Sequence, residues 1–423
     1  MKKIIIILLL LILSVETCFA ATFQYIISGS SDSPIATGGT EYQLLMGSGD
    51  VAWNATETSR QSVIPTAGTL TDFQVGVRTA PGAGKSWTFT VRSGNPIGNS
   101  ALSVSIAEMD VISVLDTSLV SVVAGDLVSV SSVGISTPTA AGAVWWTCKF
   151  IPDTAGETIL LAGQTSWITE LNYKPLIGNK TSPDATLFDG QTLFPTSGTL
   201  KNFYCELVTA PGAGTDRTFK IEKNGVDSSI AITISGTNTT GNDTTNTLTV
   251  AAGDRVAIQE TAVTGTPATT RDKWGIVFVP DTQGEWFTSA TTDDTLSTAA
   301  TEYQQLTCGD STLTTTENEQ YVLAQATTAK AIYVALSTDP GTAPDAYTFT
   351  LRRNGATDTA LTVTITADNT TGSLVTDVTI SANDLLSTSI VPVSTPAATP
   401  ASQIAYLFYD APTGAFSQAM LID

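Results

Sequence analysis

Apolar side chains recur at every second position along most of this chain. Phe73, Val75 and Val77 alternate with Gln74 and Gly76, the spacing of a strand with one buried and one wet face. Phe203, Cys205 and Leu207 repeat the pattern, and so do Ile332, Val334 and Leu336. A second set of strands is marked by Phe89 and Val91, Phe219 and Ile221, Phe349 and Leu351. A third set is Leu102-Val104-Ile106, Ile230-Ile232-Ile234 and Leu361-Val363-Ile365, each alternating with Ser, Thr or Ala. Strands at intervals of about ten residues, with no helical period, predict antiparallel two-sheet sandwiches.

The alternation is written three times. Residues 68–91 read GTLTDFQVGVRTAPGAGKSWTFTV, residues 198–221 read GTLKNFYCELVTAPGAGTDRTFKI, and a worn copy at 328–351 reads TAKAIYVALSTDPGTAPDAYTFTL. Pro81, Pro211 and Pro340 mark the register. Turn signals recur with the strands. Asn224-Gly225 and Asn354-Gly355 suit tight hairpins because both residues accept positive φ. Gly125-Asp126, Gly253-Asp254 and Asn383-Asp384 introduce a later strand, and Thr137-Pro138, Thr266-Pro267 and Thr395-Pro396 close it. The expected organisation is a leader over 1–20 and β-sandwich modules over 21–157, 158–285 and 286–423. Eight or nine strands per module favour a jelly roll over a seven-strand immunoglobulin type. Short apolar pieces at Tyr25–Ile27, 158–161, 286–288 and 416–417 flank the modules. Pairing of these pieces across the junctions would stiffen the array into a rod.

Residues 1–20 read as a secretory signal, with Lys2 and Lys3 before an apolar run and Cys18-Phe19-Ala20 as the cleavage site. The mature chain is therefore expected to be secreted or cell-surface, without membrane insertion. The full sequence carries a formal net charge of −20, which repels nucleic acid and anionic lipid. Loop carboxylates such as Asp293 and Asp294 are the candidate Ca²⁺ ligands, although no EF-hand spacing accompanies them. No other cofactor is indicated.

The chain contains no histidine, which removes Ser-His-Asp and Cys-His catalysis and His-based zinc sites. Residues 82–86, GAGKS, lack the Gly that a phosphate loop needs five positions before Gly-Lys-Ser, and they join two strands. Cys308-Gly309-Asp310-Ser311 resembles the start of an esterase block whose chemistry needs a downstream His. Glu206 and Glu170 lie on different strands, and nothing in the sequence pairs them as a glycosidase requires. Cys148 and Cys205 align with apolar residues of the other copies and belong in the core. Cys308 aligns with Gly47 and Gly178, so a loop thiol open to reaction is expected there. Trp146 and Trp274 share a core position. Trp53, Trp145, Trp167 and Trp286 have no Trp counterpart and are the candidate surface or interface aromatics.

The recurring TAPGAG…TF…NG…GD…TP block resembles tandem jelly-roll repeats of phage-virion and bacterial-surface proteins, and the sandwich is broadly similar to C1q/TNF-like domains. The resemblance implies a non-enzymatic display, adhesion or assembly role, protein or glycan surface partners, and a homotrimer. It carries over no functional residue. The alternative reading is a carbohydrate-binding module array, with the unmatched tryptophans as the sugar platform.

Overall fold

The computed structural model describes residues 23–47, 51–164, 172–180, 184–309 and 312–411. Among them are strands, turns and short 3-10 helices, with no α-helix. The leader over 1–20, the terminal piece at 416–417, Trp167, Glu170, Asp310 and Ser311 lie outside the described residues. The fold is all-β and sandwich-like. Each third of the chain supplies two sheets, and every ladder between described strands joins strands of the same third.

The strand order is the same each time, except that Gly178–Lys180 adds a parallel strand beside the opening strand of the second repeat. In the first sheet of each repeat an opening strand pairs with the closing strand, which pairs with a central strand, which carries an outer edge. These are Tyr25–Ser31, Val144–Pro152, Gly68–Val77 and Val120–Val122 in the first repeat. They are Thr158–Gln164, Asp272–Pro280, Gly198–Leu207 and Thr240–Asp243 in the second, and Glu285–Thr291, Ser402–Tyr409, Thr327–Leu336 and Thr371–Ile380 in the third. The second sheet of the first repeat runs Thr40–Gln43, Leu127–Ile135, Gly82–Gly94, Gly98–Glu108. Its counterparts run Asn172–Lys174, Arg255–Thr264, Gly212–Lys223, Val226–Gly236 and Glu302–Gln304, Leu385–Val393, Ala346–Arg353, Thr357–Thr366. A bulge interrupts the central strand at one place in every copy, between Thr71 and Gln74, Lys201 and Tyr204, and Ala329 and Ala331.

The alternating residues face the core between the sheets. Phe73, Phe203 and Ile332 are fully buried, as are Trp146 and Trp274. Each buried indole finds a carbonyl, Trp146 donating to Leu45 O at 2.8 Å and Trp274 to Pro175 O at 3.1 Å. Cys148 and Cys205 are buried in this layer, and burial pushes the Cys148 thiol up to about 12. The Asn-Gly turns adopt positive φ at both residues, 52° and 83° at Asn224-Gly225. The carboxamides of Asn224 and Asn354 donate to Asp254 and Asp384 of the neighbouring turn, each at 2.7 Å.

The junctions differ from the rod expected of them. Tyr25 stands opposite Phe150, Thr158 opposite Phe278 and Trp286 opposite Phe408, so each short strand opens its own repeat. The free edge of each closing strand is thereby occupied, and no row of backbone donors remains there for the next repeat to pair with.

Contact between repeats runs through two-residue strands instead. Ser62–Val63 packs on the opening, closing and central strands of the second repeat, and Thr192–Leu193 on those of the third. Val322–Leu323 packs on the opening and closing strands of the first. The contacts therefore run first to second, second to third, and third back to first. Leu323 is buried against Ala143 and Trp145, and Leu193 against Ala335 and Ala405. Polar links lie at the seams: Thr66 to Glu157, just before the second repeat's opening strand, at 2.5 Å, Thr196 to Glu285, the first residue of the third's, at 2.6 Å, and Arg78 to Glu319 at 3.0 Å. The three loops also meet backbone to backbone. Gly178 has φ +83°, and a Cβ there would lie 2.7 Å from Gly309 N. A Cβ on Gly47 would lie 2.7 Å from Gly178 Cα. No side chain fits either place.

One loop beside the second repeat's outer edge carries an acid-sensitive device. The Asp243 carboxylate accepts from the backbone N–H groups of Ala231, Thr245 and Asn246, each at 3.1 Å. Burial opposes its charge, but these donors and the Asn246 side chain outweigh it and hold the carboxyl below the usual range. Because the folded value is the lower one, the stabilisation is present above the unfolded pKa and is lost as pH falls through the folded pKa. Urea melts of Asp243→Ala and the parent chain should differ most at neutral pH and converge in acid. A gap independent of pH would contradict this role.

Candidate functional site

The tryptophans singled out by comparison of the copies do not face solvent where they are described. Trp53 is buried in the first repeat, edge-on to Trp146 with ring centroids 5.6 Å apart. Trp145 is buried where the third repeat packs on the first, edge-on to Tyr321 at 5.8 Å. Trp286 is buried, stacks on Phe408 at 4.4 Å and donates to Asp410 at 2.9 Å. Of the three, Trp145 marks a place where one repeat fits another, and that place is inside the molecule. No ring of these three is open to stack on a sugar.

Cys308 corrects the expectation of an open loop thiol. It is 1% exposed and lies where the Gly47 and Gly178 loops converge. Its loop is wedged between repeats rather than presented to water. Glu206 pairs with Lys273 at 2.8 Å. The Asp294 carboxylate accepts from the Leu313 backbone at 3.2 Å. Among the described residues, no three of His, Cys, Asp and Glu stand together as metal ligands. The GAGKS stretch runs along the strand Gly82–Gly94, joining strand to strand.

Two features set one repeat apart from the others. The first is a buried group of charges in the second repeat. Lys174, on the short strand Asn172–Lys174, contacts both Glu260 and Asp272, and all three side chains have no exposed surface. Arg217, 1% exposed, donates to the other oxygen of Glu260 at 2.7 Å and to Ala268 O at 3.0 Å. The rings of Phe219 and Trp274 lie 5.2 and 5.7 Å from the Lys174 ammonium. Burial opposes charge on Lys174, but Asp272 and Glu260 overcome it and keep its pKa above the ordinary amine value. Burial also raises the Glu260 carboxyl, against the pull of Lys174.

The strand register shows what stands at these positions elsewhere. Phe219 lies opposite Glu260, Phe89 opposite Ser132 and Phe349 opposite Ile390. Leu207 lies opposite Asp272, Val77 opposite Val144 and Leu336 opposite Ser402. Lys174 corresponds in the same way to Gln43 and Gln304, and Arg217 to Trp87 and Tyr347. In the third repeat the counterpart of the Lys174–Asp272 contact is a neutral one, Ser402 to Gln304 at 3.3 Å. Tyr347 reaches Ala398 O at 2.8 Å, as Arg217 reaches Ala268 O. The framework is shared, and the charges belong to the second copy. Reading the copies for alignment of apolar positions missed them, because each charged residue sits at a position occupied by unlike residues in the other two. The signal available in sequence was four charged residues on inward strand positions.

The second feature is an apolar edge on the first repeat. Met109, Val111, Val114, Leu115, Leu119 and Val123 are exposed, Val114 by 85% and Met109 by 76%. The segment runs beside the central strand, bridging Gly76 to Ile112 and Phe73 to Asp116. The corresponding stretch of the second repeat, 237–247, reads TNTTGNDTTNT. Exposed large apolar side chains gathered on one segment mark a surface that another molecule can cover. No protein-family model matches this chain, and no curated protein shows significant similarity to it.

Proposed function

We propose that this chain is a non-enzymatic, exported structural or adhesive protein built of three jelly-roll modules in a ring, with the apolar edge of the first module as its working surface. The observation that carries the reading is that edge, Met109 to Val123, which presents six large apolar side chains on a highly acidic molecule. The partner is another protein chain, which covers the apolar side chains and pairs along the exposed sheet edge. The jelly-roll assignment is supported by the strand order, in which opening, closing, central and outer strands form one sheet and the remaining strands the other. The ring is supported by the cyclic packing of Ser62–Val63, Thr192–Leu193 and Val322–Leu323. One chain then supplies the threefold contact for which the family resemblance would use three chains.

The test pairs sizing and electron microscopy of the exported protein with a Val114→Asp/Leu119→Asp double variant. The parent chain should self-assemble or carry a co-purifying partner. The variant should lose that association with its thermal midpoint unchanged. A parent chain that stays a lone monomer, or that turns over polysaccharide, would sink the reading.

A further inference from the structure

We propose that the second repeat forms an intramolecular amide bond between the Lys174 side-chain amine and the Asp272 side-chain carboxyl, with Glu260 as the proton carrier. Three observations converge on it. The amine and both carboxyls are in direct contact and wholly buried. The flanking rings of Phe219 and Trp274 keep the site dry and fix the lysine's approach. The two carboxyls are held differently: Glu260 is anchored by Arg217 at 2.7 Å, whereas the second oxygen of Asp272 is buried with no hydrogen-bond partner. Glu260 is thus fixed as a base, and Asp272 is the carboxyl with an oxygen to lose.

The step balances without any outside reagent. Lys174 passes one ammonium proton to Glu260, which delivers it to the Asp272 carboxylate and leaves a neutral amine facing a neutral acid. The nitrogen lone pair attacks Asp272 Cγ and the C–N bond forms. A second nitrogen proton travels through Glu260 to the departing hydroxyl, the C–O bond breaks, and one water leaves. The third proton stays on the amide nitrogen, and Glu260 is again a carboxylate paired with Arg217. Contact between the reactants replaces a bimolecular encounter, which is worth a very large effective concentration. Burial of a positive and a negative charge without water is costly, and the product removes both. The resting ammonium makes the reaction slow, but expulsion of water from a dry core makes it one-way. The bond ties the strand Asn172–Lys174 of one sheet to the closing strand Asp272–Pro280 of the other. The other repeats, with Gln43 and Val144 or Gln304 and Ser402 at these places, cannot form it.

Mass spectrometry of the purified chain is decisive. The protein should be lighter than its sequence by one water, and digestion should yield a branched peptide joining Lys174 to Asp272. Glu260→Gln and Lys174→Arg should have their full sequence masses, with native circular dichroism establishing that each has folded. Asp272→Asn should lose ammonia in place of water and give the parent's product mass, a gain that misfolding cannot imitate. A folded parent chain at full mass, or a branch at Glu260, would overturn the proposal.

Discussion

Glu260→Leu should lower the free energy of unfolding by about 3–5 kcal/mol, the usual cost of removing one member of a buried ion pair. The substitution is close to Glu in size but puts an apolar side chain beside Lys174, Arg217 and Asp272, so lost charge balance dominates over packing. What it leaves is the Arg217 guanidinium, 1% exposed, with its carboxylate gone. Ala268 O remains as an acceptor but carries no full charge. The Glu260→Leu/Arg217→Met double variant should recover the part of the loss due to the stranded charge, but not the part due to the missing Lys174–Asp272 bond. Guanidinium melts of the two singles and the double give the coupling directly. A double variant as unstable as the sum of the singles would mean that shape, not charge balance, dominates the site.

Phe203→Ala should cost a similar amount, about 3–5 kcal/mol, for a different reason. Phe203 is fully buried, and its counterpart Phe73 occupies the same place within the same bulge. Truncation leaves a cavity between two sheets that are pinned on both sides by ladders and cannot close over it. Cys205→Val, two residues along the same face, should change stability by less than about 0.5 kcal/mol, within the range of volume-conserving swaps. Its counterparts are already Val75 and Val334. The pair of variants therefore separates a register error from ordinary tolerance. A Phe203→Ala as mild as Cys205→Val would show that the face is turned the other way.

Strand identity, register and the core were legible in the sequence because period two and positive-φ turns are local signals. Phe203, Cys205, Trp146 and Trp274 could be placed by comparing one copy with the next. The assembly of the repeats was not legible, because it depends on two-residue strands such as Thr192–Leu193, too short to carry a period. Trp145 illustrates the limit. Its lack of a Trp counterpart marked it as special, but whether a special aromatic meets solvent or another part of the same chain depends on contacts 176 residues away, at Tyr321. Cys308 failed in the same manner: alignment with two glycines suggested an open loop, whereas Gly47 and Gly178 are small because their backbones touch. The charges around Lys174 were visible as letters but not as a cluster, since Lys174, Arg217, Glu260 and Asp272 converge only through the fold.

The cyclic packing of the two-residue strands has a further consequence. In an assembly of identical chains, a substitution at one contact is imposed on all of them at once, and stability depends on concentration. Here the three contacts are encoded separately and held at a fixed local concentration by the polypeptide. Leu323 can sit against Trp145 at one seam while Leu193 sits against alanines at another. A charge cluster can enter one copy and an apolar edge another without being written three times. Three copies in one chain thus turn symmetry from a constraint into a starting point, from which each face of the molecule can diverge alone.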